Sequence, residues 1–278
     1  MQTRMTVSYE THAQRYGRYA FLVACALIFF FLVAPVAVVV PLAFNSDSFF
    51  NFPIHSYSLR WFSNLFTDPM WGLSIRNSLM IAVISTTLAT VLGTAAAVGL
   101  NHRNLPGKRL IMAAILSPMI VPVIILAVGS YFFYSRLGVA NNLIGIVLAH
   151  AVLGMPFVVV TVSATLAGFD HSLMRAARNL GASPLTAFGS VVLPVVWPGV
   201  LSGALFAFAT SFDEVVVVLF LGGPEQRTLP RQMWNGLREH LSPTILAAAV
   251  ILIVFAVVVL MTLEALRRRG AALRGIKE

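Results

Sequence analysis

The chain has 278 residues, of which 58% are hydrophobic and 10% charged. Soluble domains carry roughly 25% charged residues, so this composition excludes a water-soluble fold and indicates an all-α polytopic membrane protein. The net charge of +9 does not indicate nucleic acid, because no basic surface with interleaved aromatics is left once the apolar segments are set aside.

Six segments are long enough to cross a bilayer, which takes about 20 apolar residues. They are 20–44, 76–100, 110–134, 141–167, 195–221 and 243–266. Residues 1–19 read as a polar, interfacial or disordered lead-in, residues 20–267 as the membrane domain and residues 268–278 as a basic tail. Charge follows this topology. With the N-terminus in the cytoplasm, Arg4, Arg15, Arg18, Arg103, Lys108, Arg109, Arg175, Arg178, Arg267, Arg268, Arg269, Arg274 and Lys277 fall inside. Only Arg60, Arg76, Arg136, Arg227, Arg231 and Arg238 fall outside. This positive-inside bias places both termini in the cytoplasm of a multi-pass inner (plasma) membrane protein.

The first segment exceeds the 7–15 residues of a signal-peptide core and runs into Pro41-Leu42-Ala43-Phe44-Asn45 without a small-x-small cleavage site. It therefore reads as a retained span. Cys25, the single cysteine, lies in it and reads as a small buried apolar group. The external stretch from Asn45 to Ile75 holds Tyr57, Trp61, Phe62 and Phe66 and a helix-start signal at Asp68-Pro69. Short helices at headgroup level are expected there. Pro106-Gly107 marks a tight turn. Pro118 and Pro122 in the third segment and Pro156 in the fourth predict bent helices, with no repeat and no inverted pair of broken helices apparent.

Between the fourth and fifth segments, the loop 168–194 predicts two short helices. Asp170 or Ser172 can cap the first. Leu173, Ala176, Ala177 and Leu180 share one face, with Arg175, Arg178 and Asn179 on the other. Gly181 suits a left-handed stop. Ser183-Pro184 restarts a helix that Pro194 ends before the fifth span. Small alanines flanked by leucines suit docking into a partner's groove, and equally an amphipathic helix lying on lipid.

Within the fifth segment stands Asp213-Glu214, after Ser211-Phe212. An ionised side chain at the bilayer centre costs about 2.5–3.5 kcal/mol by insertion measurements. Such a pair needs water, a counter-ion such as Arg76, a ligand, or protonation. Adjacent helical residues point about 100° apart, which favours Asp213 as the main path group and Glu214 as a second contact, with Ser211 adding a hydroxyl. No Gly-x4-Gly-Lys-Ser/Thr sequence, zinc motif or nucleophile elbow is present, so no ATP site, metal site or catalytic centre is expected in this chain.

The spacing Ala176-Ala177, Gly181 and Val191-Val192-Leu193-Pro194 resembles the coupling loop of permease subunits of bacterial ABC importers, with Arg175 where a Glu is usual. Ser211-Phe212-Asp213-Glu214, Gly222-Gly223-Pro224, Thr228-Leu229-Pro230, Asn77-Ser78-Leu79 and Tyr57-Ser58-Leu59-Arg60-Trp61-Phe62 are similar to the spermidine/putrescine type of that family, which usually reads Ser-x-Asp-Asp in this span. The resemblance implies a six-helix permease of the type I importer, MetI-like class. It would pair with a homologous permease, two copies of a cytoplasmic ATPase that carry ATP and Mg, and a periplasmic substrate-binding protein. It further implies ATPase coupling through Leu173, Arg175, Ala176, Ala177, Leu180 and Gly181, and a substrate path with Asp213, Glu214, Ser211 and Trp61. A polyamine suits carboxylates in the path. Arg227, Arg231 and Arg238 in the last external loop leave open an opine or amino-acid-derived substrate. An ion-coupled secondary carrier is the remote alternative.

Overall fold

The computed structural model describes residues 12–49, 53–102, 105–239 and 242–273. Helix α1 (His12–Leu42) is apolar on every side, and none of its most apolar window is buried. Its main neighbour among the described residues is α12 (Thr244–Leu273). A helix without a polar face needs a lipid-like surround rather than a core, so Cys25 is exposed and not buried as expected. The helix already runs at His12, so residues 12–19 of the expected lead-in are helical and continuous with the first apolar segment.

A short helix, α2 (Arg60–Thr67), follows in the outer stretch. The Asp68 carboxylate then accepts the Met70 N–H at 2.7 Å and Pro69 fills the first turn, so α3 (Pro69–Leu100) begins at Pro69 rather than at 76. The third segment is broken more sharply than a bend. It is α4 (Lys108–Ile120) and α5 (Val123–Arg136), set at 107° to each other. Pro122 drives Val121 into an extended conformation (φ −71°, ψ 132°), which ends the helix. Pro118 and Pro156 stay inside α4 and α6 (Leu143–Leu166) without breaking them.

After α6 come α7 (His171–Asn179) and α8 (Pro184–Ala187), then a π-helical turn over Phe188–Val192 that runs directly into α9 (Leu193–Asp213). The expectation that Pro194 ends a helix is therefore overturned. The Leu193 N–H reaches back to the Phe188 carbonyl, a five-residue step. The register shift is placed where the following residue, a proline, has no N–H to pair. The fifth segment does stop short, at Glu214 (φ −73°, ψ 122°), and restarts as α10 (Val216–Leu221). A 3₁₀ turn over Pro224–Gln226 and α11 (Leu229–Glu239) lead to α12.

Helices α3, α6 and α9 form the centre. A Cβ on Gly203 of α9 would lie 2.7 Å from the Val158 Cα of α6, and one on Gly154 of α6 would lie 2.9 Å from the Ala207 Cβ of α9. Glycines at these crossings let the backbones meet. Val158, Val159, Val162 and Val196 are fully buried there. A second buried cluster, with Ile81, Ala127, Ile146, Val217, Val218 and Leu221, locks α5 and α10 together over α3 and α6. The two half-helices beyond the breaks thus support each other. One end of the bundle carries α7 and α8, and Met174 and Phe169 pack there in the same cluster as Leu105. The opposite end carries the turn before α6 and the loop after α10, joined by a 2.9 Å bond from the Asn141 N–H to the Leu221 carbonyl.

Candidate functional site

Helix α7 is built as its sequence suggests. The Asp170 carboxylate accepts the Ser172 N–H at 2.8 Å, and Gly181 stops the helix with φ +87°, a conformation disfavoured for any side chain. The Ser183 hydroxyl accepts the Thr186 N–H at the start of α8. Leu173, Arg175, Ala176, Arg178 and Leu180 are exposed, Leu180 by 89%, and Leu185 of α8 joins them. Ala177 is half-buried on the same side as Met174, which packs onto the core. The inner face is therefore Met174 and Ala177, and the outer apolar row is Leu173, Ala176 and Leu180.

The acidic pair lies at the end of α9, and its two members do different things. The Glu214 Oε1 accepts the Val217 N–H at 3.0 Å, so Glu214 caps α10. Asp213 is exposed, and no described residue gives it a hydrogen bond or an ion pair, Arg76 included. Asp213 and Leu252 line two clefts at once. One, of about 330 Å³, is walled by Phe208, Phe212 and Phe255. The other, of about 260 Å³, is walled by Pro230, Met233 and Trp234. Asp213 thus stands at the waist between a cleft that runs between α9 and α12 and one at their α11 end. The break also leaves the last carbonyls of α9 without helical partners, and the negative end of the helix dipole lies there.

Ser211 is not in either cleft. It is 5% exposed and sits at the centre of a polar knot between three helices. Its hydroxyl is 2.9 Å from the Ser85 hydroxyl of α3 and 2.8 Å from the His150 Nδ1 of α6. The other ring nitrogen of His150 has no partner among the described residues, and the residue is 1% exposed. His150 is not among the residues singled out from the sequence. An ionisable side chain in the middle of an apolar segment was the signal that could have found it.

Trp61 lines neither cleft beside Asp213. It is 6% exposed, donates its Nε1–H to the Asn45 carbonyl at 2.8 Å, and carries the Arg60 guanidinium 4.6 Å from its ring centroid. It ties down the stretch between α1 and α2. The arginines after α10 are also engaged. The Arg231 Nη1 donates to the Gly222 and Gly223 carbonyls, 2.9 Å each, closing the end of α10. Burial, and then the Arg227 charge, lower the Arg231 pKa below its ordinary value. Arg227 reaches Gln232 at 3.4 Å, and Arg238 lies 5.7 Å from the Trp234 ring centroid. The same loop is held to α3 by Asn77, which donates to the Glu225 and Arg227 carbonyls at 2.8 and 3.0 Å, and by Ser78, which accepts the Leu229 N–H at 2.7 Å.

Comparison with known proteins bears on this arrangement. Residues 89–270 match the family described as binding-protein-dependent transport system inner membrane component. The chain is 31% identical over 241 residues to the spermidine/putrescine transport system permease protein PotC of Escherichia coli K12, covering 87% of this chain and 91% of that one. It is 32% identical over 239 residues to the putrescine transport system permease protein PotI of the same strain, covering 84% and 85%. Among solved structures, a chain of a bacterial ABC transporter involved in the import of the acidic polysaccharide alginate superposes with a TM-score of 0.72 at 15% identity, covering 93% of this chain and 99% of that one. A chain of the MetNI methionine ABC transporter superposes with a TM-score of 0.56 at 20% identity, covering 76% and 100%. At these identities the structures speak for the fold.

Proposed function

Because the chain belongs to the family of binding-protein-dependent transport system inner membrane components, we propose that it is the multi-pass permease subunit of an ATP-driven importer that carries a polyamine, putrescine or spermidine, across the inner membrane by alternating access. A homologous permease completes the path, and two copies of a cytoplasmic ATPase supply the energy. A periplasmic binding protein delivers the substrate at the α10–α11 end. In this reading the N-terminus and the α7 end lie in the cytoplasm, as the basic residues of that side favour. The exposed row Leu173, Ala176 and Leu180 enters a groove on the ATPase, flanked by Arg175, while Gly181 sets the angle to α8.

The observation that carries the polyamine reading is Asp213. A carboxylate without a partner among the described residues, at the open carbonyl end of a helix and at the waist between two clefts, favours a cation twice over, by charge and by dipole. Glu214 adds negative charge while capping α10, and Ser211 fixes the helix just before the break. Two of the arginines at the outer mouth keep their charge but are fixed in place, Arg231 on the Gly222 and Gly223 carbonyls and Arg238 beside Trp234.

The test is ATP-dependent uptake of labelled putrescine and spermidine by the assembled complex in proteoliposomes with its binding protein. Wild type is expected to accumulate label, and Asp213→Asn to lose uptake while still assembling. An assembled, ATPase-active wild type that takes up neither polyamine would overturn the substrate assignment and direct the search to opines and amino-acid derivatives.

A further inference from the structure

Resting on the polyamine reading, we infer that Phe208, Phe212 and Phe255 form a cation–π site that takes an alkylammonium group of the substrate on the inner side of Asp213. The three rings are mutual neighbours. Their centroids are 5.7 Å apart for Phe208 and Phe212, 4.7 Å for Phe212 and Phe255, and 5.9 Å for Phe208 and Phe255. All three are half-buried and line the cleft of about 330 Å³ at whose edge Asp213 stands.

Three aromatic rings packed only to fill a core would be closed off by their neighbours. Here they open onto a cleft, and the polar side chain on its rim is a carboxylate without a partner among the described residues. Ring faces are electron-rich, so they attract a cation that has shed part of its hydration, while their edges and Leu252 offer apolar wall to methylene groups. A linear alkylamine needs both kinds of surface in alternation. Asp213 meets one ammonium group, and the methylenes and the next ammonium lie against the phenylalanines. On the outer side of Asp213 the second cleft presents Trp234. That ring already has the Arg238 guanidinium 5.7 Å from its centroid, so the phenylalanine cleft is the aromatic surface assigned to the cation.

The experiment measures equilibrium binding of radiolabelled putrescine to the detergent-solubilised full complex without binding protein, carrying a hydrolysis-deficient ATPase and held with ATP. Assembly is checked by co-elution on size exclusion. Phe212→Leu and Phe255→Leu are expected to raise Kd by about 3- to 30-fold, and Phe255→Tyr to stay near wild type. Unchanged Kd in both leucine variants, with binding weakened by Asp213→Asn, would overturn the aromatic site while leaving the polyamine reading intact. A wild-type complex that binds neither putrescine nor spermidine would overturn that reading and this site with it. If the leucine variants fail to assemble, competition on wild type decides. Permethylated putrescine, which keeps its charge but cannot donate hydrogen bonds, is expected to displace the label within about tenfold of putrescine, and butanediol not at all. Failure of the permethylated amine to compete would overturn the proposal.

Discussion

Two neighbouring carboxylates divide their work at residue scale. Glu214 caps α10 through the Val217 N–H, whereas Asp213 has no partner among the described residues. Replacing Glu214 with Ala should therefore cost about 1 kcal/mol, seen as a lower thermal midpoint of the purified complex. Asp213→Asn should leave that midpoint within error. If the two substitutions behaved alike, the division of roles would be wrong. His150 is the larger structural stake. It holds Ser211 from α6 while Ser85 holds it from α3. His150→Ala opens a cavity and strips one bond from Ser211, for a loss of about 1–3 kcal/mol. Ser85→Ala, which leaves the His150 bond in place, should cost less. The acidic pair was visible in the sequence because charge is rare in an apolar segment. The split between its members was not, because it depends on the helix ending between them.

At the scale of elements, what the sequence showed and what it hid follow from one cause. Hydropathy measures length and apolarity, and it located each long apolar helix, and the broken α4–α5 pair, within several residues at most ends. It does not register where a backbone changes direction inside an apolar run. The break at Val121 lies in a segment that is apolar on both sides of Pro122, and the break at Glu214 precedes a run of valines that could continue a helix as well as start one. Only the packing of α5 against α10 shows why both breaks are tolerated. Proline alone was a poor guide: Pro122 ends a helix, Pro156 does not, and Pro194 coincides with a π turn instead of a stop. The glycine crossings were equally hidden. Gly203 faces Val158 so closely that Gly203→Val must push α6 and α9 apart. Strain of this kind costs about 1–3 kcal/mol, and the variant should show reduced yield of assembled complex, with Gly203→Ala intermediate between it and wild type.

Across the whole molecule, one element links the loop 168–194 to Asp213. Helical structure runs without interruption from Pro184 to Asp213, 30 residues, or about 45 Å at 1.5 Å per residue. Helix α7 precedes it across Gly181 and is anchored inward by Met174. In the proposed function, a displacement of α7 by an ATPase would be delivered to a rod whose far end carries Asp213 and is pinned by Ser211 to α3 and α6. This arrangement separates two kinds of loss. Leu173 is half-exposed on the outer row of α7 and does not touch either cleft. Leu173→Glu places a charge in a groove that the proposal makes apolar, so ATPase association should weaken and transport should fall with it. Binding of putrescine by the permease pair itself should persist. Asp213→Asn should give the converse, an ATPase that remains associated and a path that no longer holds its cation. Co-purification of the ATPase and equilibrium binding of putrescine, measured on the same two variants, check this. Uptake that survives Leu173→Glu at the wild-type rate would remove the docking role of α7, and with it the reason for a rod that begins at the loop and ends at the carboxylate.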